Sequence, residues 1–173
     1  MVPYLLLAGL LALGMQAMRL HLGRVNAGGS PRADVPFVID APTLAQAIYG
    51  RLDEQHAADY YRFTGMAGVG VRLLLLIPTS AYERGLRAQF HLYGPALPPD
   101  GATATMKPHE LTIAGRGYML VQTYVPPLEA DGDYAVRVSR VDGAGAYCLC
   151  IGDREGGHAD AATRERINQL LEV

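Results

Sequence analysis

The chain has no tryptophan, two cysteines, a single lysine and three serines in 173 residues. Each scarcity closes a route. Two cysteines cannot build the multi-bridge framework of a small secreted scaffold, so the fold must rest on a hydrophobic core. Half of the residues are hydrophobic, enough for a chain of this length to bury one. Lys107 is the only lysine, the arginines are spread thinly and the formal charge is −2. No basic stripe is available to neutralise a phosphate backbone, which argues against nucleic acid as a partner. Ser30, Ser80 and Ser139 sit in no G-x-S-x-G context, and His21, His56, His91, His109 and His158 show no H-x-H, H-x-x-x-H or H-E-x-x-H spacing. No catalytic residue, metal ligand set or cofactor is assigned, and the histidines read as solvent-exposed turn residues. Internal repeats and low-complexity tracts are absent too.

What is there begins with Val2 to Met18, an apolar run without a formal charge. As a helix it would span about 25 Å, short of the roughly 30 Å hydrocarbon layer, which suits a signal-peptide core. Ala12-Leu13-Gly14 and Val25-Asn26-Ala27 are small-residue cleavage sites, the second followed by a linker-like Gly28-Gly29-Ser30-Pro31. Arg19, His21 and Arg24 follow the run and no basic residue precedes it, the bias of an uncleaved anchor with its N-terminus outside. Residues 1–27 are therefore expected as a signal peptide or a membrane anchor, the latter giving membrane association through residues 2–18. Either reading puts the rest of the chain in the periplasm, outside the cell, or tethered on the outer side of the membrane.

Residues 28–43 read as a linker, 44–152 as an all-β domain and 153–173 as a loop followed by an amphipathic helix. Candidate strands are Phe37 to Ile39, Ala45 to Leu52, Asp59 to Thr64, Val69 to Ile77, Ala88 to Tyr93, Glu110 to Ala114, Gly117 to Tyr124, Asp133 to Arg140 and Ala146 to Ile151. Their alternation and their Gly, Pro and Asp punctuation predict an antiparallel two-sheet sandwich of about eight strands. Val71 to Ile77 is nearly all apolar, the mark of a strand covered on both faces. Phe63, Leu75, Val136 and Leu149 lie at the apolar phase of their strands and are expected between the sheets. Pro78 to Arg87 and Gly94 to Pro108 read as long loops, because proline fixes φ and removes a backbone donor. Tyr82, Arg84, Arg87 and Tyr93, in or beside those loops, are the candidate ligand-binding residues. Asp160 is placed to cap a C-terminal helix carrying Ile167, Leu170 and Leu171.

The strand signatures Gly50-Arg51-Leu52, Asp59-Tyr60-Tyr61-Arg62-Phe63 and Gly132-Asp133-Tyr134 with Val136 and Val138 resemble the bacterial pre-peptidase C-terminal domain family. In that family a G-x-L strand leads through a polar turn to a D-x-Y-x-F strand, and a late G-x-Y-x-L-x-V strand closes the sandwich. The resemblance covers roughly residues 44 to 151. It implies a jelly-roll-like sandwich and a secreted, non-catalytic module, usually appended to an exported hydrolase and assisting surface binding or secretion. No enzyme domain accompanies it in this sequence.

Three constellations remain open. Cys148 and Cys150 share one strand face, with Tyr147, Leu149 and Ile151 on the other. They read as small buried residues under the terminal helix, as a strained or intermolecular disulfide, or as part of a soft-metal site. Asp53, Glu54 and Asp59 flank one turn, and Asp131, Asp133 and Asp142 flank a late hairpin. Calcium coordination and ordinary turn chemistry both fit them. Tyr60 and Tyr61 must point to opposite faces, so at least one is core. The expected function is a non-catalytic exported module that binds an envelope protein or a surface glycan. A carbohydrate-binding module resting on Tyr82 and Tyr93 is the second reading. A small envelope hydrolase or a redox or metal protein centred on Cys148 and Cys150 is the third.

Overall fold

The computed structural model describes residues 21–104 and 106–172. The run from Val2 to Met18, with its signal or anchor reading, lies outside them. Ten strands are present among the described residues: β1 (Leu22–Val25), β2 (Phe37–Val38), β3 (Gln46–Leu52), β4 (Ala58–Gly65), β5 (Leu73–Pro78), β6 (Arg87–Tyr93), β7 (His109–Ile113), β8 (Arg116–Tyr124), β9 (Gly132–Asp142) and β10 (Gly145–Ile151). A short helix, α1 (Thr79–Glu83), follows β5, and α2 (Ala161–Leu171) follows β10. The strands form a six-stranded sheet, ordered β1-β3-β10-β5-β8-β7, and a four-stranded sheet, ordered β2-β4-β9-β6. From β3 to β6 and from β8 to β10 the chain changes sheet at each step, which is jelly-roll connectivity.

One strand, β1, was not anticipated, and two parallel pairings correct the all-antiparallel expectation. β1 pairs parallel with β3 and β2 pairs parallel with β4. β1 falls in the stretch expected as signal or anchor, β2 in the expected linker. A parallel pair has no hairpin turn to announce it, so the pairing of these short edge strands carries no sequence signal. The backbone bonds are nonetheless made: Leu22 N–H donates to Ala45 O at 2.8 Å, and Asn26 N–H to Tyr49 O at 2.9 Å.

β5 lies between β10 and β8, and all six of its residues are buried. Leu73 and Leu75 enter the core between the sheets, where Phe63, Val136 and Leu149 also lie, together with Tyr61, Phe90, Tyr134 and Tyr147. Leu74 and Leu76 point the other way, into a second apolar cluster with Ala47, Tyr118, Leu120, Cys148 and Cys150. A strand that is apolar on both faces is therefore the physical content of that leucine run. Burying one such side chain contributes about 1.5–3 kcal/mol.

Both expected loops carry more structure than their proline content suggested. After Pro78, residues Thr79–Glu83 turn into α1, which buries Ala81 beside Ile77 and Leu86. Leu86 N–H closes the turn on Ala81 O at 3.0 Å. Residues 94–104 fold back along the free edge of β6, with Leu92 and Ala102 exchanging backbone bonds of 2.9 and 2.7 Å. Gln122 secures it by bonding the N–H and the C=O of Phe90, each at 2.7 Å, and the Thr103 hydroxyl at 2.7 Å. An edge strand left bare would invite pairing with another chain, and this segment covers it.

α2 is capped by Asp160, which accepts from Thr163 N–H at 2.7 Å. It packs on β1 and β3. Gly23 makes that approach possible, since a Cβ there would sit 2.8 Å from Ile167 Cδ1. No helix among the described residues is long and apolar enough to cross a membrane.

Candidate functional site

The four residues singled out in the loops divide into two places. The Arg87 guanidinium lies 3.6 Å from the centroid of the Tyr82 ring, and its Nη1 donates to Tyr82 O at 2.7 Å and Leu86 O at 2.8 Å. Arg84, exposed, ends α1. Tyr93 stands at the other end of β6, six strand steps or about 20 Å from Arg87. The two loops attach to opposite ends of one strand, so they form no single contact region.

Tyr93 belongs instead to the outer face of the four-stranded sheet. The pairing register places Tyr60, Arg137 and His91 side by side in one row, and Val38, Arg62, Ala135 and Tyr93 in the next. Arg62 and Arg137 are exposed. Arg137 approaches the Tyr60 ring at 5.9 Å, and the His91 and Tyr93 rings stack with centroids 6.3 Å apart. Among the described residues neither Arg62 nor Arg137 has a carboxylate within ion-pair distance. Asp133, on the same face, accepts from the Thr64 hydroxyl at 2.9 Å. Tyr61, next to Tyr60 in sequence, is fully buried.

Between the sheets, on the inner face of β4, lies a buried polar hub. The Asp59 carboxylate has no solvent exposure and no Lys or Arg partner in the described structure. Its Oδ1 accepts from Ser30 N–H at 2.5 Å, Asn26 Nδ2 at 3.1 Å and His56 Nε2 at 2.8 Å, and its Oδ2 from the Tyr147 hydroxyl at 2.6 Å. Tyr147 in turn accepts from the Tyr61 hydroxyl, which accepts from Asn26 Nδ2 at 3.4 Å. Burial, with the neighbouring Asp59 charge, pushes the ionisation of Tyr61 and Tyr147 far above the ordinary phenol range. His56 separates the hub from a surface cleft of about 310 Å³ lined also by Asn26, Gly29, Arg51, Asp53 and Leu170. A buried carboxylate holding a histidine at a cleft has the outline of a general-base pair. The nucleophile is missing, because the Ser30 hydroxyl is spent on Asn26 Oδ1 at 3.1 Å. The arrangement ties residues 26–30 to β4 and β10.

The remaining constellations are resolved by position. Cys148 and Cys150 are free and buried, with their sulfurs 3.7 Å apart. Burial first, and then the Cys150 sulfur, push the Cys148 thiol well above its usual range, the reverse of an activated nucleophile. Tyr49, Met106, Leu111 and Ile113 pack on that cluster. Asp53, Glu54 and Asp142 line one groove with Arg140, whereas Asp131 and Asp133 sit at the far end of β9. No group of three His, Cys, Asp or Glu residues among those described converges as a metal would require. The histidines correct the expectation of exposed turn residues. His91 and His109 lie on strands, half-buried, with His91 Nδ1 and His109 Nε2 buried and unbonded, and His56 is committed to Asp59.

The strand pairings define the class, a two-sheet β-sandwich. Among solved structures the chain is similar to the pre-peptidase C-terminal domain of a collagenase from Bacillus anthracis, at 18% identity over 67% of this chain and 93% of that one, with a TM-score of 0.45. It is similar also to PliG of Aeromonas hydrophila, a periplasmic inhibitor of g-type lysozyme (13% identity, 75% of this chain, 97% of that one, TM-score 0.36). A third likeness is to the CspB protease of Clostridium perfringens (10% identity, TM-score 0.39), where 75% of this chain matches 30% of the other. The first is a domain of the kind the strand signatures resemble. No family model matches the chain, and no curated protein matches it.

Proposed function

We infer that the chain is a non-catalytic, exported β-sandwich module that binds a component of the cell envelope, protein or glycan, through the outer face of its four-stranded sheet. The observation that carries this reading is the pair of exposed guanidiniums, Arg62 and Arg137, neither in an ion pair among the described residues, set among Tyr60, His91 and Tyr93 on the outer sheet face. Exposed side chains of this kind on a rigid scaffold favour binding over stability. Support for the non-catalytic half comes from the groups a reaction would need. The Ser30 hydroxyl and His56 Nε2 are spent on structural partners, and both thiols are buried. The Val2 to Met18 run supports export. Tyr82, Arg84 and Arg87 form a second, smaller patch, about 20 Å away along β6.

Co-sedimentation of the full chain with purified envelopes of its host tests this reading. Wild type is expected in the pellet, and the Tyr60→Ala/Arg137→Ala double variant in the supernatant with an unchanged circular dichroism spectrum. Wild type left in the supernatant overturns the reading.

A further inference from the structure

We propose that the outer face of the four-stranded sheet is a site for an acidic polysaccharide, one whose sugar rings carry carboxylates. The inference rests on the binding-module reading and names its ligand class. Arg62 and Arg137 lie on adjacent strands in a diagonal relation, because Arg62 is registered with Ala135 and Arg137 is two residues further along β9. Diagonal Cβ atoms are about 7–8 Å apart, so two like charges share a small area with no carboxylate bonded to either among the described residues; Asp133, at the other diagonal of Arg62, is bonded to the Thr64 hydroxyl. Like charges so placed are unfavourable unless an anion joins them, and a guanidinium fork matches a carboxylate in two parallel bonds.

The rest of the face suits a sugar. Ala135 is the floor between Arg62 and Tyr93, whose strands are two spacings, or about 10 Å, apart. The register thus sets the small Ala135 side chain between a charge on one strand and an aromatic ring on the other. Tyr93 and Tyr60 present rings at opposite corners of the two rows, each with a polar tip beside an apolar face. A protein hot spot would need a desolvated apolar cluster, and the only large aliphatic side chain on these rows is Val38 at the β2 edge. Nucleic acid would need a far wider basic track than two arginines on a chain of charge −2.

The test is calorimetric titration of the full chain with tetragalacturonate and with its fully methyl-esterified form, which keeps the rings and removes the charges. Saturable binding of the acid is expected, at least tenfold weaker for the ester and for Arg62→Ala or Arg137→Ala, and weakened by added salt. Each variant alters an exposed side chain, and an unchanged urea midpoint verifies its fold. No binding of the acid, equal binding of acid and ester, or affinity unchanged in both arginine variants each overturns the proposal. Co-sedimentation with host envelopes separates the two levels. Envelope binding without uronate binding refutes the ligand class and leaves the module reading, while failure of both assays refutes both.

Discussion

Replacing Asp59 probes the hub that joins three distant parts of the chain. Asp59→Ala removes the acceptor of four hydrogen bonds, from Ser30, Asn26, His56 and Tyr147. His56 can recover by reaching water, since about a fifth of its side chain is exposed, and the Tyr147 hydroxyl can turn toward Tyr61. Ser30 N–H has no such escape, because the residue is buried, and Asn26 Nδ2 keeps only its long 3.4 Å bond to the Tyr61 hydroxyl. A stranded buried donor costs about 1–3 kcal/mol, so Ser30 N–H with partial loss at the other three gives about 2–4 kcal/mol. That is a large part of the 5–15 kcal/mol typical of a domain. Asp59→Asn keeps the shape and leaves Oδ1 for three of the donors. Only the charge assistance is lost and the Tyr147 hydroxyl must reverse, for about 1–2 kcal/mol. Urea unfolding followed by tyrosine fluorescence measures both, and the chain has no tryptophan to mask its ten tyrosines. Asp59→Ala costing under about 1 kcal/mol, or Asn costing as much as Ala, would refute the assignment of the carboxylate as acceptor hub.

Gly50→Ala should cost about 1–3 kcal/mol and shift the near-ultraviolet dichroism, because its Cβ would lie 2.6 Å from the Tyr147 ring and hydroxyl; a neutral effect in both readouts contradicts that packing. Stability should fall above pH 10. Burial pushes the Tyr118 hydroxyl up to about 12, so between pH 10 and 12 the unfolded chain releases a proton that the folded one keeps, at up to about 1.4 kcal/mol per pH unit. Equal urea midpoints at pH 8 and pH 11 would contradict it, and Tyr118→Phe should lessen the slope. Cys148→Ser/Cys150→Ser should lower the thermal midpoint while leaving ligand binding intact, and in the native wild type both thiols should resist a water-soluble thiol reagent; rapid labelling without unfolding would show them to be accessible.

Alternation made nine of the ten strands readable, and the inward phase of Phe63, Leu75, Val136 and Leu149 was readable with them. β1 was hidden by its neighbour: four residues following an apolar run look like the flank of a signal, and their partner on β3 lies 24 positions on with no turn between. α1 was hidden by Pro78, which reads as a loop marker although it stands at the N-cap position, where a missing N–H costs nothing. The Asp59 hub left a signal that went unused. Asp59, Tyr61 and Phe63 share one phase of β4, so a carboxylate was assigned to the core side of a strand, where only a set of donors could keep it. Its donors come from residues 26, 30, 56 and 147, and only the fold brings them together. The Gly50 of the G-x-L signature has a similar explanation, since it faces Tyr147 across the β3–β10 pair and leaves room for the ring that reaches Asp59. On the four-stranded sheet, the Arg62 and Arg137 juxtaposition depends on register alone.

The parallel pairing of β1 bears on how the module is held in space. Its first bonded residue is Leu22, and Asn26 is locked into the hub, so removal of the first 27 residues would strip a strand from one sheet and a donor from Asp59. Processing at Ala12-Leu13-Gly14 spares both. Where residues 2–18 serve instead as an anchor, only Arg19, Leu20 and His21 separate them from the sheet, a reach of about 10 Å at full extension. A tether that short would keep the β1 edge of the sandwich, and α2 packed on it, within about 10 Å of the point of attachment.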